Sequence, residues 1–117
     1  MKRDPDCLFC KIIKKEIPAQ IEYEDEETLA IGDIHPQAPV HILIIPKRHI
    51  AKVEDLSESD AELTGKLIIL AKKLAKEKNM EKNSFRLVFN NGTLAGQSVF
   101  HIHLHLLGGR KMNWPPG

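Results

Sequence analysis

Three histidines, His101, His103 and His105, alternate with Ile102, Leu104 and Leu106 in the run from Phe100 to Leu107. Successive side chains of an extended chain point to opposite faces, so the three imidazoles are predicted to share one face of a strand. Solvent-facing strand sides usually draw on Lys, Glu and Thr, and a purely structural polar face explains the pattern poorly. Two chemical readings remain: the rings bind a metal together, or one ring binds or attacks phosphate. Just upstream, Asn90-Asn91-Gly92-Thr93-Leu94-Ala95-Gly96-Gln97-Ser98 sets glycines among hydrogen-bonding side chains. Glycines let backbone amides approach an anion, and Asn90, Gln97 and Ser98 can donate to it, so the segment reads as a phosphate cradle or an ordinary hairpin loop. The only two cysteines, Cys7 and Cys10, are spaced as a metal hook or a redox pair. A redox pair normally sits between a strand and a helix, and no strand can be drawn before Cys7, which favours metal.

These residues need elements to position them. A short helical stretch over Lys11 to Lys15 is stopped by Pro18, which cannot continue the hydrogen-bond ladder. Gln20 to Tyr23, Thr28 to Ile34 and Val40 to Ile45 are short apolar or alternating runs separated by turns, the pattern of an antiparallel meander. One long helix is predicted from about Ser57, its N-cap, to Lys78, with Asn79 as the stop. Leu63, Leu67, Leu70 and Leu74 form its core stripe beside Ala71 and Ala75, and Lys72, Lys73, Lys76 and Lys78 lie towards the negative end of its dipole. Phe85 to Asn90 reads as a further strand and Ser98 to Leu107 as the last long one. Strands on both sides of a single long helix indicate an α+β domain over residues 1–117, with an antiparallel sheet of about five strands, one long helix and one short one.

A chain of 117 residues buries one core without disulfide staples, and its 42% hydrophobic and 28% charged content is that of a globular protein rather than a disordered one. The net charge of +1 supplies no field to concentrate a polyanion, so long nucleic acid is a poor partner. The N-terminal segment lacks an apolar stretch suited to an export signal, and no run approaches the roughly 20 residues needed to span a bilayer. A cytoplasmic location with no membrane partner is the expectation.

Taken together, the motifs resemble the histidine triad nucleotide-binding family, and within it the branch of small homodimeric purine nucleoside phosphoramidases. The resemblance runs through Cys7-Leu8-Phe9-Cys10-Lys11-Ile12-Ile13, Glu16-Ile17-Pro18-Ala19, Asp33-Ile34-His35-Pro36-Gln37-Ala38-Pro39 and His41-Ile42-Leu43-Ile44-Ile45-Pro46-Lys47. It continues from Gly96-Gln97-Ser98 through the histidine run to Gly108-Gly109-Arg110, and ends in Trp114-Pro115-Pro116-Gly117. The resemblance implies that His103 attacks the α-phosphate and forms a nucleotidyl-imidazole intermediate that water hydrolyses. It implies that His105 holds phosphate oxygens, that Ser98 bonds near the leaving group, and that His41 and His101 complete the catalytic histidine cluster. Asp33 is implied to receive the ribose hydroxyls and Ile31 and Ile34 to line the base pocket, while Asn90, Gly96, Gln97 and Ser98 surround the phosphate. Gly32 stands where close relatives often carry a histidine.

The same resemblance implies a structural zinc held by Cys7, Cys10, His49 and His101, two buried free thiols being the alternative. It also implies a homodimer that extends the sheet across its two-fold axis and covers a sheet edge, with Trp114 near the partner's active site. The implied substrates are adenosine or guanosine 5′-phosphoramidates, including adenylylated lysine. Two other activities fit the triad: hydrolysis of dinucleoside polyphosphates, against which the Trp-Pro-Pro-Gly terminus argues, and a nucleotide-binding adaptor with vestigial catalysis.

Overall fold

The computed structural model describes residues 4–80, 82 and 84–117; the first three residues of the segment read for an export signal lie outside them. In chain order the elements are helix α1 (Leu8–Ile13), strands β1 (Ile21–Glu24), β2 (Thr28–Gly32) and β3 (Val40–Pro46), helix α2 (Ala61–Glu77), and strands β4 (Phe85–Val88) and β5 (Leu104–Gly108). The five strands form one antiparallel sheet in the order β1-β2-β3-β5-β4. The predicted α+β architecture is therefore present. The meander covers β1 to β3; α2 then carries the chain to the far edge, and β5 returns between β4 and β3.

The reason β3 reads as an unbroken apolar run is that both of its faces are covered. Ile42 and Ile44 pack with Ala30, Leu104 and Leu106 against Leu67, Leu70, Ala71, Leu74 and Ala75 of α2. On the other face Leu43 and Ile45, with Leu29 and Ile31, meet Phe9, Ile12 and Ile13 of α1. Fully burying one such side chain contributes about 1.5–3 kcal/mol, so each helix is held mainly by its apolar stripe rather than by intrinsic propensity.

Three boundaries differ from the sequence reading, each for a physical reason. Helix α1 begins at Leu8, before the predicted Lys11, because the Cys7 sulfur accepts the Cys10 N–H and caps it; Lys15, at φ 66°, ends the turn ahead of Pro18. The Ser57 and Asp60 capping box closes a 3-10 turn, and regular α-helix starts at Ala61. Asp60 is buried and ion-paired with Arg48, which ties that turn to the end of β3. At the other end Asn79 adopts φ 62°, the left-handed conformation that stops a helix.

The third difference bears on the site. The last strand occupies Leu104–Gly108, and the segment from Ser98 to His103 lies outside the ladder. It is held instead by the Gln97 side-chain amide, which donates to the carbonyls of Ala51 and Val99, and by the Ile102 N–H on the Ile50 carbonyl at 2.7 Å. The three histidines consequently do not continue one regular strand face.

Candidate active site and metal centre

Across the β3–β5 ladder His105 pairs with Leu43 and His41 with Leu107, and residues facing each other across a ladder share a side of the sheet. His41 and His105 are therefore diagonal neighbours on the α1 side, with His41 Nε2 2.9 Å from His105 Nδ1. The Gln37 N–H donates to His41 Nδ1 at 3.0 Å. That fixes the hydrogen of His41 on Nε2, where it is donated to His105 Nδ1, and leaves His105 with its own hydrogen on Nε2. Asp33 Oδ2 lies 3.4 Å from His41 Nε2, and Asp33 Oδ1 accepts the His35 N–H.

His103, just before the ladder, is buried and donates Nδ1–H to the His101 carbonyl at 2.8 Å. Its Nε2 thereby keeps a lone pair. The Phe9 ring stands edge-on to it, 5.0 Å between centroids, and the His103 and His105 centroids are 4.9 Å apart. Burial pushes His103 below the usual imidazole range, outweighing the pull of its hydrogen bond to the His101 backbone and of Asp33. Burial also lowers His41 against the Asp33 charge, and pushes His105 down to about 4 with help from the neighbouring His103 and His41. Near neutral pH all three rings are uncharged, the form in which an imidazole nitrogen is a nucleophile.

His101 turns away from this group. Its Nε2–H donates to the Pro46 carbonyl at 2.7 Å, so Nδ1 is bare and faces Cys7 Sγ at 3.4 Å, Cys10 Sγ at 3.6 Å and His49 Nδ1 at 3.2 Å. Cys10 Sγ and His49 Nδ1 are 3.5 Å apart. A tetrahedral ion with bonds of about 2.3 Å to sulfur and about 2.0–2.1 Å to nitrogen requires ligand-to-ligand edges of about 3.3–3.8 Å. The observed edges fit. Each ring presents Nδ1 to the cluster; Nε2–H of His101 donates to the Pro46 carbonyl, the outer arrangement usual for metal-bound histidine, and Asp4 Oδ2 lies 3.9 Å from His49 Nε2. Burial raises the Cys7 thiol, and a divalent cation among these donors would overcome that and take both sulfurs as thiolates. Four protein ligands leave no open position, so the donor set suits a structural ion such as zinc.

The other expected residues are distributed as follows. Ile31 is buried against α1, while Ile34, past the end of β2, is 83% exposed. In the loop, Gly92 and Gly96 have φ of 90° and 101°, conformations that explain why glycine stands there. Gln97 differs from the cradle reading: its Oε1 accepts the Gly92 N–H, its Nε2 serves two carbonyls, and its backbone N–H goes to the Gly92 carbonyl. It shapes the loop with its side-chain amide and backbone N–H engaged. Asn90 lies beside Gly96, Ser98 is exposed, and Trp114, 83% exposed, shares a cavity of about 450 Å³ with Asn90 along β4. Sequence reasoning missed Phe9, the Gln37 N–H and the carbonyls of Pro46 and His101. Only Phe9 left a local signal, its place between the two cysteines.

Comparison with known proteins agrees with this geometry. A family model described as the HIT domain matches residues 14–112. A 14 kDa zinc-binding protein of Zea mays is 53% identical, the match covering 97% of this chain and 90% of that one. Among solved structures, a HIT family hydrolase of Legionella pneumophila superposes with a TM-score of 0.94 at 55% identity, covering 96% of this chain and all of that one. A histidine triad nucleotide-binding protein of Candida albicans superposes at 0.80 with 35% identity, covering 94% and 83% of the two chains. With the family model matched over most of its length and close relatives matched almost end to end, the chain belongs to the HIT family.

Proposed function

We propose that the chain hydrolyses the phosphorus–nitrogen bond of purine nucleoside 5′-phosphoramidates through a covalent intermediate on His103. The observation that carries this reading is the fixed tautomer of a buried, uncharged ring: Nδ1–H is spent on the His101 carbonyl, so Nε2 is the nitrogen available for attack. A bond forms from Nε2 to the α-phosphorus as the bond to the leaving nitrogen breaks. That nitrogen takes up a proton and departs as an amine, the Nε2–H of His105 relaying the proton from solvent, and the proton set free when water attacks in the second step returns by the same route. Water then attacks phosphorus, the nitrogen–phosphorus bond to His103 breaks, and a nucleoside monophosphate leaves the ring neutral again. His105 also holds phosphate oxygens, while His41, oriented by Gln37 and Asp33, keeps His105 in the donating tautomer.

Asp33 takes the ribose hydroxyls, Ile31 and Ile34 bracket the base, and Asn90, Gly96, Gln97 and Ser98 build the phosphate wall, Gln97 from within the loop. The relatives called HIT family hydrolases and histidine triad nucleotide-binding protein support the activity. Zinc at Cys7, Cys10, His49 and His101 fixes the N-terminal turn to the core, a reading supported by the edge lengths and by the zinc-binding relative. Exposed Ile68 and Ile69 on α2, with β4 at the edge of the sheet, support an isologous homodimer. Two cysteines outside any disulfide suit the cytoplasm, and among the described residues no helix is long and apolar enough to cross a membrane.

The test uses an AMP-amine whose leaving group fluoresces when freed. The native chain releases it and accumulates a nucleotidylated protein on rapid quench. Equal turnover by His103→Ala removes His103 from the role of nucleophile.

A further inference from the structure

The hydrogen-bond series that fixes His105 begins at the Gln37 N–H, and Gln37 lies on the loop over residues 33–39 that joins β2 to β3. Among the described residues, the hydrogen bonds of that loop stay within it or go to His41, with one exception. The Asp33 N–H donates to the His41 carbonyl, Asp33 Oδ1 accepts the His35 N–H, and the Gln37 side-chain amide donates to the His35 carbonyl. The exception is Arg110, whose Nε–H donates to the Gln37 carbonyl at 2.8 Å.

The strand that carries His105 also places Arg110. Gly108, at the end of β5, pairs with Val40 at the start of β3, so the residues that follow pass beside the loop. Gly109 lies against Pro39 so closely that a Cβ there would come 2.9 Å from the proline ring, which brings the neighbouring Arg110 alongside. The guanidinium spends a further N–H on the Lys111 carbonyl at 3.0 Å, and among the described residues no carboxylate pairs with it. A hydrogen bond from a charged donor to a carbonyl is stronger than one between neutral groups. Gln37 is therefore engaged on both sides, its N–H by His41 and its carbonyl by Arg110, and has no freedom to rotate away.

We infer that Arg110 is a positioning residue for the catalytic histidines: by holding the Gln37 carbonyl it keeps the Gln37 N–H on His41 Nδ1, and so keeps His41 and His105 in the tautomers with hydrogen on Nε2. The consequence for turnover rests on the phosphoramidase reading; the tautomers do not. One strand thus governs both ends of the series, since β5 carries His105 and leads, two residues past its end, to the side chain that orients His41 from behind. Asp33 is held through its own backbone bond to His41, so the ribose end is independent of Arg110.

The test reads tautomers and kinetics together. Arg110→Met removes the donors at nearly constant length, and the residue lines an open cavity of about 790 Å³ with room for the change. Above about pH 7, imidazole nitrogen-15 spectra of the native chain should show His41 and His105 each as a single Nε2–H tautomer, whereas in Arg110→Met His41 becomes a mixture of both. For an AMP-amine, kcat falls about 5-fold while KM changes by less than about 2-fold. Arg110→Lys, whose ammonium can still donate to the carbonyl, recovers most of the loss. In a His41→Gln background Arg110→Met has no further effect on kcat, because the two residues act through one series of bonds. An unchanged His41 tautomer in Arg110→Met overturns the inference, as does a loss carried by KM or one that persists undiminished in His41→Gln. If the native chain cleaves no AMP-amine, the phosphoramidase reading fails and the nitrogen-15 comparison still decides the role of Arg110.

Discussion

The two histidine clusters use the same residue type from the same stretch of chain, and they are opposites. Around His101 the donors converge: its Nδ1 lies 3.2–3.6 Å from His49 Nδ1 and both sulfurs, and Cys10 Sγ lies 3.5 Å from His49 Nδ1. Around His103 they run in series, from the Gln37 N–H through His41 to His105, while His103 is held separately on the His101 carbonyl. What decides the job of an imidazole here is where its second nitrogen is spent. The Pro46 carbonyl takes the hydrogen of His101 on Nε2 and turns Nδ1 towards the sulfur and imidazole donors; the His101 carbonyl takes the hydrogen of His103 on Nδ1 and leaves the lone pair on Nε2. One residue serves both clusters, its ring in the first and its carbonyl in the second.

The largest break in this contrast removes the proposed nucleophile. His103→Ala is expected to lower turnover of an AMP-amine by about three orders of magnitude or more while retaining AMP binding, since a positioned nucleophile and its partners act as a unit. The metal cluster should respond in the reverse sense, through stability first. Cys10→Ser, or exhaustive chelation, leaves an incomplete buried donor set and is expected to cost about 3 kcal/mol or more, roughly 10 °C in melting temperature. Because His101 also holds His103, kcat should drop several-fold at temperatures where the variant remains folded, with KM changed little. Unchanged kcat in a metal-free, folded variant would separate the two clusters.

A smaller effect is expected at the ribose end. Asp33→Asn keeps the turn bond to His35 but weakens both the approach to His41 and any bond to sugar hydroxyls. Losing one charge-assisted hydrogen bond is worth about 1.5–3 kcal/mol, so KM for the nucleoside conjugate should rise about 10-fold or more. A 2′,3′-dideoxy substrate should lose most of that difference.

How much of this was legible follows from which contacts are local. The leucine stripe of α2 and the cysteine spacing are patterns within a few residues, and each marked an element or a group of donors; the alternation of His101 to Leu106 marked the last strand only from Leu104, since His101 and His103 lie before the ladder. Position along the chain could not show that the ladder starts at Leu104, because the segment before it is held by Ala51 and Ile50, about 50 residues away. Gln97 looked like a phosphate donor for the same reason: its amide is the right chemistry, and only the fold shows its partners. The tautomers were invisible too, since the backbone groups of Gln37, Pro46 and His101 that set them are present in every sequence.

The finest distinction between the clusters is their response to acid. His41 and His105 are uncharged in the folded chain because burial lowers them, His105 to about 4, whereas in the unfolded chain each titrates near the ordinary value of about 6.5. Below that value the unfolded chain binds protons that the folded chain excludes, so stability increases with pH across the window from about 4 to about 6.5. The contribution is complete above about 6.5 and is lost as pH falls towards 4. Acid also protonates the cysteine and histidine donors, so a falling melting temperature alone does not distinguish the clusters. The difference between the native chain and His105→Gln does, when both are saturated with zinc: the metal contribution is common to the pair and cancels. The native curve should fall more steeply between pH 6.5 and 4.5 and run parallel to that of the variant above pH 7. Parallel curves throughout would remove His105 from the acid response.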